Sequence, residues 1–506
     1  MNGKKSVFKY ILWILLILSP IVLLAVESLI YGQNLFMGVP EWSDELDYWR
    51  EMYSFSRCGF DFGGSLFFGY DAQVGPLGAH SFSPIAAWGL FSGFFASSMG
   101  SHAIVWINLA MLTVAWLIFV LLVKPDYIKS IIAIALAYLF PLTVLYIHSS
   151  MIELVCMAGL IVYFALLYRW KIEEEKDKKA GKWFLIALLV GIWCTMLRPT
   201  YVVILFPAIW MKNKFKINKY TIISMIAYVV AFGVFYNLYG MLCADYPDWV
   251  TSKISAAVGI RNKLSIVYHN AIGNLKMYFG PKSADLCQVG MRYFYFVIML
   301  FAGVRAFVGD NDEKAKQNGE ENSVRASEKN PPNRLYLSIF IMMFGLWAMM
   351  ILLYDIIEWR DFRAFAPICF GATLLMVLLE KGKKSLGVLS AVYACLLISF
   401  FVSGINFVET KNYEQARDLS AYFEMLETED ENGEPRTLAA DFELNWCDIS
   451  VLGSVPAKLG YQVFYGSYDA DVYGQADYVF APFDMEIDGE PVSTVPGYGI
   501  IYKMFE

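Results

Sequence analysis

The sequence predicts an α-helical polytopic membrane protein, with about 11 transmembrane helices and a small C-terminal external α/β domain. Three observations carry that prediction. Of the 506 residues, 58% are hydrophobic and 17% charged, and the mean hydropathy is +0.48, too apolar for a soluble globular chain. Long apolar runs recur from end to end and are continuous rather than alternating, which favours helices over a barrel. Charge is also unevenly placed. From Glu409 onward there are 5 Lys and Arg against 20 Asp and Glu, a net of −15, so the preceding part carries +8 within the overall −7. A basic membrane part (1–408) and an acidic tail (409–506) therefore form two domains, and nothing in the pattern suggests nucleic-acid binding.

The first apolar run, Phe8–Ile30, follows a Lys-bearing N-terminus. It is longer than a signal-peptide core and lacks a small-residue cleavage site, so it is expected to stay as the first span with its N-terminus inside. The parity of later spans is set by placing Lys-rich loops inside. The loop after span one, with its extension to residue 102, is then external. Within it Pro84–Ser97, too short to cross, is expected as a helix on the outer surface. Ala103–Val123 crosses inward, Ile131–His148 outward and Met151–Tyr168 inward. Arg169–Lys182 and Lys212–Lys219 are both Lys-rich and belong inside, so Trp183–Trp210 must cross twice. It is expected to be a hairpin of two short spans, broken at Arg198-Pro199, because proline removes a helix donor and biases the residue before it away from helix. Tyr220–Leu242 leads to a second external loop, 243–290, with amphipathic helical patches. Met291–Val308 returns, and Gly309–Asn333 reads as a flexible cytoplasmic linker. Leu335–Tyr354, Ala364–Leu379 and Ser385–Phe407 complete the set.

In the tail, Tyr413–Leu426 reads as an amphipathic helix. Thr437–Ala440, Tyr461–Phe464, Tyr478–Ala481 and Gly499–Met504 read as strands. A helical stretch at Asp448–Leu459 suggests a βαβ unit, and Asp488-Gly489 reads as a turn. The 8 cysteines show no metal-site spacing. Cys156, Cys194, Cys369 and Cys395 fall in apolar runs and read as core; Cys58, Cys243, Cys287 and Cys447 fall outside them, unpaired by sequence alone.

Chemistry concentrates on the external face. Asp44, Glu45 and Asp47 lie beside Trp42, Tyr48 and Trp49 just after the first span. Carboxylates near lipid need solvation, a partner or a cation. They can act as a base on a hydroxyl or hold a divalent cation, and the plainer alternative is a solvated acidic turn in an aromatic interface belt. His80 joins the same loop, as a further substrate contact or a solvent-facing histidine. Arg360 and Arg363, spaced i, i+3 beside Glu358 and Asp361, suit a phosphate or pyrophosphate, or else an interfacial ion-pair cluster. Arg198 at the helix break suits the same anion or the carbonyls freed near Pro199. Lys263 and His269 in the second external loop are further candidates for substrate binding.

The motif Asp44-Glu45-Leu46-Asp47-Tyr48 after a span, the Gly-rich loop, and Ser83-Pro84-Ile85-Ala86-Ala87-Trp88 resemble the first external loop of the GT-C superfamily of membrane glycosyltransferases. That superfamily includes aminoarabinose-transferase and protein O-mannosyltransferase relatives. The segment from Gly191 to Thr200, ending Leu197-Arg198-Pro199-Thr200, looks like the superfamily's mid-chain pattern. The chain departs from it at Ser83, where a second proline is common. No acidic residue directly precedes Pro84, so Asp71 is the nearest candidate for a second acidic metal ligand. The resemblance implies an extracytoplasmic, inverting transfer from a polyprenyl-(pyro)phosphate-linked sugar to a glycan, lipid or protein hydroxyl of the cell envelope. It implies Asp44 as base with Glu45 as its substitute, and leaves room for a divalent cation (Mg or Mn) on Asp44 and Asp71. Such a transfer needs positive charge on the leaving phosphate, the role for which the residues themselves suit Arg360 and Arg363, and Arg198 at the helix break. The competing expectation is a transporter of lipid-linked saccharide or polysaccharide without transferase activity. It predicts charges inside spans and broken helices, with Glu153 the best-placed acidic residue.

Overall fold

The computed structural model describes residues 2–39, 41, 45, 95, 99, 102–176, 180–240, 252–280, 286–307, 333–355, 362–380, 382–403, 408–433, 436–441, 460–464 and 476–505. The expected surface helix at 84–97, Phe95 apart, the linker at 309–332 and the crossover helix at 448–459 lie outside the described residues.

The chain opens with α1 (Asn2–Ile17) and α2 (Ser19–Tyr31), bent by 67° at Leu18. The run expected as the first span, Phe8–Ile30, is thus two helices rather than one. Pro20 has no N–H for the Leu16 carbonyl, and the Ser19 hydroxyl donates to that carbonyl instead, at 2.8 Å. Gly32, at φ 65°, closes α2 in the left-handed region. Next come α3 (His102–Val123), α4 (Tyr127–Leu139) and α5 (Pro141–Tyr146). Asp126 caps α4 by accepting from the Lys129 N–H at 3.0 Å. Phe140 is extended because Pro141 follows it, so the expected helix over 131–148 is two pieces.

The centre of the bundle is α6 (Glu153–Glu175), buried along most of its length. Glycines allow its neighbours to approach. A Cβ on Gly159 would meet the Cys194 sulfur at 2.6 Å, and one on Gly371 would meet the Phe164 ring at 2.4 Å. α7 (Gly181–Leu197) ends at Arg198, which is extended (φ −145°, ψ 104°). A 3-10 segment, Pro199–Ile204, and α8 (Leu205–Lys212) follow. The chain folds back here. Gly191 lies against Leu205, and the Lys212 amino group sits 4.8 Å from the Phe184 ring centre. Both pairs are symmetric about residue 198, so Arg198 is the tip of a helical hairpin.

The remaining helices are α9 (Lys219–Gly240), α10 (Ser252–Ala256), α11 (Ile260–Phe279), α12 (Leu286–Phe307), α13 (Arg334–Leu353), α14 (Phe362–Leu379), α15 (Lys383–Val402) and α16 (Thr410–Phe423). Among the described residues five helices are long and apolar enough to cross a membrane: α3 from Ala103, then α6, α12, α13 and α15. The α1–α2 pair adds a sixth if it is one bent span. Cys287, expected outside the spans, is buried in α12 against Val144 and Phe400, whereas Cys395, expected in the core, is exposed on α15.

One end of the bundle is rich in lysine, and buried Glu380 ties it together. Its carboxylate accepts from Arg305 on α12 (2.7 and 3.0 Å), the Tyr336 hydroxyl on α13 (2.5 Å) and the Ser385 hydroxyl on α15. A buried carboxylate held this way fixes the helices around it, because any lost partner leaves charge in an apolar setting. Tyr336→Phe is expected to lower stability by about 1.5–3 kcal/mol, the range for a hydrogen bond to a charged group. Thermal unfolding in detergent measures it.

The C-terminal part is a five-stranded sheet in the order β2-β1-β3-β5-β4. Its strands are β1 (Thr437–Asp441), β2 (Gly460–Phe464), β3 (Tyr478–Pro482), β4 (Gly489–Val495) and β5 (Gly499–Met504). β1 is parallel to both β2 and β3, while β5 is antiparallel to β3 and β4. The parallel β1–β2 pair is the one a βαβ unit requires. β4 was not expected as a strand. It begins at Gly489, directly after the bend at Asp488 where a turn was expected, and the turn between β4 and β5 is at Gly497 (φ 81°). β4 lies at the sheet edge and is interrupted by a register shift after Pro491, which is where a residue without an N–H is tolerated. α16 lays Tyr413, Ala416, Leu419 and Phe423 inward, with the Phe423 and Phe480 rings 5.6 Å apart.

Candidate functional site

The end of the bundle opposite Glu380 carries a chain of buried polar groups around the start of α6. The connection before α6 contains His148, Ser149 and Ser150, all buried. Asn108 on α3 holds this connection, its amide donating to the carbonyls of Ser149 and Met151 at 3.4 Å each. The imidazole of His148 faces a carboxylate on either side: Nδ1 is 3.6 Å from Glu27 and Nε2 is 3.4 Å from Glu41. An imidazole can donate from both nitrogens only as the imidazolium, so this arrangement suits a charged ring between two acids.

Two residues on, Ser150 binds Glu45. Its N–H and its hydroxyl donate to Oε2 of Glu45 at 2.9 and 2.6 Å, and the Glu41 N–H donates to Oε1 at 3.2 Å. Glu45 is 1% exposed. Burial pushes its carboxyl up to about 7, against the lowering pull of the Ser150 donors. The folded value lies above the ordinary 4.5, so the folded protein holds an extra proton between those two values. The contribution to stability is therefore complete below about 4.5 and is lost as pH rises through 7. Its full span is about 3 kcal/mol at 1.4 kcal/mol per pKa unit. In Glu45→Gln this part of the pH dependence should vanish. Melting temperatures of the two proteins, followed from pH 4.5 to 8, should converge or separate accordingly, and parallel curves would show that Glu45 does not titrate in the fold.

The third group is Glu153, the first residue of α6 and fully buried. An acidic residue there complements the positive end of the helix dipole. Oε1 of Glu153 accepts from Nη2 of Arg198, and Nε of Arg363 lies 3.5 Å from the same oxygen. The Tyr201 hydroxyl donates to the Ala364 carbonyl at 3.0 Å. That bond ties the 3-10 segment after Arg198 to the first turn of α14, which carries Arg363, and so holds the two guanidiniums together. The C-terminal part docks on the same end: the Glu409 N–H donates to Oε1 of Glu41 at 3.0 Å, and Gln33 donates to Glu414 at 3.4 Å.

Of the residues singled out from sequence, the structure joins Arg198 with Arg363 and buries Glu45 a short way along the same connection. Asp44, Asp71, His80 and Arg360 lie outside the described residues. Lys263 and His269 are exposed on α11. Arg292 is structural: it is buried, and its guanidinium donates to the Met277 carbonyl at 2.7 Å. Glu27 and His148 were missed. The available signal was a lone carboxylate inside the first apolar run and a histidine at the end of another, since each needs a partner at that depth. Among the described residues no three His, Cys, Asp or Glu side chains are grouped to hold a metal ion.

Fold and site together define a multi-pass α-helical membrane protein with a buried acid–guanidinium–imidazole layer at one end and a small mixed sheet docked there. No protein-family model matches the chain, and no curated protein matches it.

Proposed function

We propose that the chain is a membrane glycosyltransferase of the GT-C kind, using a sugar carried on a polyprenyl phosphate or pyrophosphate. The supporting observation is that Arg198 and Arg363, far apart in sequence, meet at one point of the bundle end where Glu45 anchors the acidic loop. In this reading there are about eleven crossings, with the Arg198 end and the sheet domain outside and the Lys-rich end in the cytoplasm.

The acceptor hydroxyl oxygen attacks the anomeric carbon while the bond from that carbon to the lipid phosphate oxygen breaks. Asp44 takes the hydroxyl proton. The phosphate leaves as an anion beside Arg198 and Arg363, whose forked donors match its oxygens, with Arg360 a further donor from the same loop. Glu45 has both oxygens already engaged, by Ser150 and the Glu41 N–H, so its part in this reading is to anchor the chain rather than to take the proton. The test is to incubate the purified protein with a panel of polyprenyl-phosphate sugars and follow consumption of each lipid. Consumption of none, by protein that also moves such lipids between leaflets, would overturn the reading.

A transporter without transferase activity draws support from one specific feature: buried Glu153 paired with guanidiniums at a broken helix, an arrangement used in transport. The same experiment separates the two, because transport relocates the lipid and leaves the sugar bond intact.

A further inference from the structure

α11 leaves the bundle edge at a defined depth. Asn274 on its second half donates to the carbonyls of Ile351 and Tyr354, at 3.0 and 2.7 Å. Those carbonyls close α13, a helix apolar enough to cross the membrane. Asn270, one turn earlier, donates to Asp355 just beyond that end, at 3.4 Å. The helix is thereby pinned at the level where a span stops, which is the interfacial region of a bilayer. Among the described residues its first half makes no such bond to a neighbouring helix. Ile260, Leu264 and Tyr268 recur every four residues, so they form one stripe, and they are 74%, 61% and 63% exposed. Charge in this part of the chain has one sign: residues 252–280 contain Lys253, Arg261, Lys263 and Lys276 and no Asp or Glu.

We infer that the first half of α11 is a docking surface for the anionic headgroups of the surrounding bilayer. The apolar stripe enters the headgroup boundary, and Arg261 and Lys263 reach the lipid phosphates with their stems along it. The inference does not rest on the proposed transferase activity. It gives Lys263 a lipid partner in place of the soluble part of a substrate.

The experiment uses the full chain in nanodiscs of phosphatidylcholine, alone or mixed with phosphatidylglycerol. Amide hydrogen exchange is read on peptides covering 258–268. In the anionic discs at low salt this segment should exchange about tenfold more slowly, from two cations near a charged surface, and added salt should remove the difference. The double substitution Arg261→Gln with Lys263→Gln should abolish the lipid dependence while exchange in α13 stays unchanged. Equal exchange of the unsubstituted protein in the two lipids would overturn the inference. So would slow exchange in both lipids that survives the double substitution, because protein, such as the acidic C-terminal part, would then be the cover.

Discussion

Asp44→Asn is expected to lower turnover by roughly 10²–10⁴-fold, the usual contribution of a positioned general base. The substitution keeps the shape of the side chain and removes the lone pair that would accept the hydroxyl proton. In the proposed transferase donor binding should persist, because Arg198 and Arg363, on other segments, would hold the leaving phosphate. The control is Glu45→Gln. The Glu45 carboxylate accepts from Ser150 twice and from the Glu41 N–H. Its amide replacement still offers one oxygen to Ser150 but turns a donor toward the Glu41 N–H. Loss in Glu45→Gln should therefore be smaller and should track loop stability. If Asp44→Asn instead loses donor binding together with any dependence on Mg or Mn, Asp44 holds a cation with Asp71 rather than acting as a base. Near-normal turnover would reduce the motif to a solvated turn.

Arg198→Ala should destabilise the protein by about 3–5 kcal/mol, the range for removing one partner of a buried ion pair. Arg198 donates directly to Glu153, which is fully buried, so its loss leaves a carboxylate whose remaining cation among the described residues is Arg363, at 3.5 Å. Adding Glu153→Gln should recover a large part of that loss, because the stranded charge is gone. Arg363→Ala should behave differently. Its longer approach to Glu153 makes it the lesser partner, so it should cost less stability and, in the proposed transferase, mainly donor affinity. Arg363→Lys should restore affinity only in part, since lysine lacks the fork. Thermal unfolding of the four variants, with donor binding measured on those that fold, separates the two roles. Equal destabilisation by Arg198→Ala and Arg363→Ala, with donor affinity untouched, would make both arginines purely structural.

Local rules made much of the fold legible. The hairpin tip at Arg198 followed from the proline after it and from two Lys-rich flanks. The parallel β1–β2 pair followed from two short apolar runs separated by a helix-length stretch. Failures had local causes too. Pro20 and Pro141 lie inside apolar runs whose hydropathy reads as continuous, and each breaks a helix. The turn expected at Asp488-Gly489 is a bend at Asp488, but a strand that was not expected begins at Gly489, and the positive-φ turn into β5 is at Gly497.

Sequence alone determined that this chain is built of apolar helices, where the Lys-rich loops and the Arg198-Pro199 break divide them, and that a small acidic sheet domain follows. Those properties depend on residues near one another in the chain: hydropathy over a helix length, proline beside its predecessor, charge in a loop. The tertiary structure alone decided which polar groups meet. Glu153 could have paired with any cation at its end of the bundle; it pairs with Arg198 because α7, which ends at Arg198, packs on α6, and Arg363 joins them because Tyr201 bonds the Ala364 carbonyl and brings α14 alongside. His148 gained Glu27 and Glu41 by the same kind of packing. A buried charge dictates that some partner must come, because leaving it alone in an apolar setting is costly, but only the packing of distant segments determines which partner is within reach.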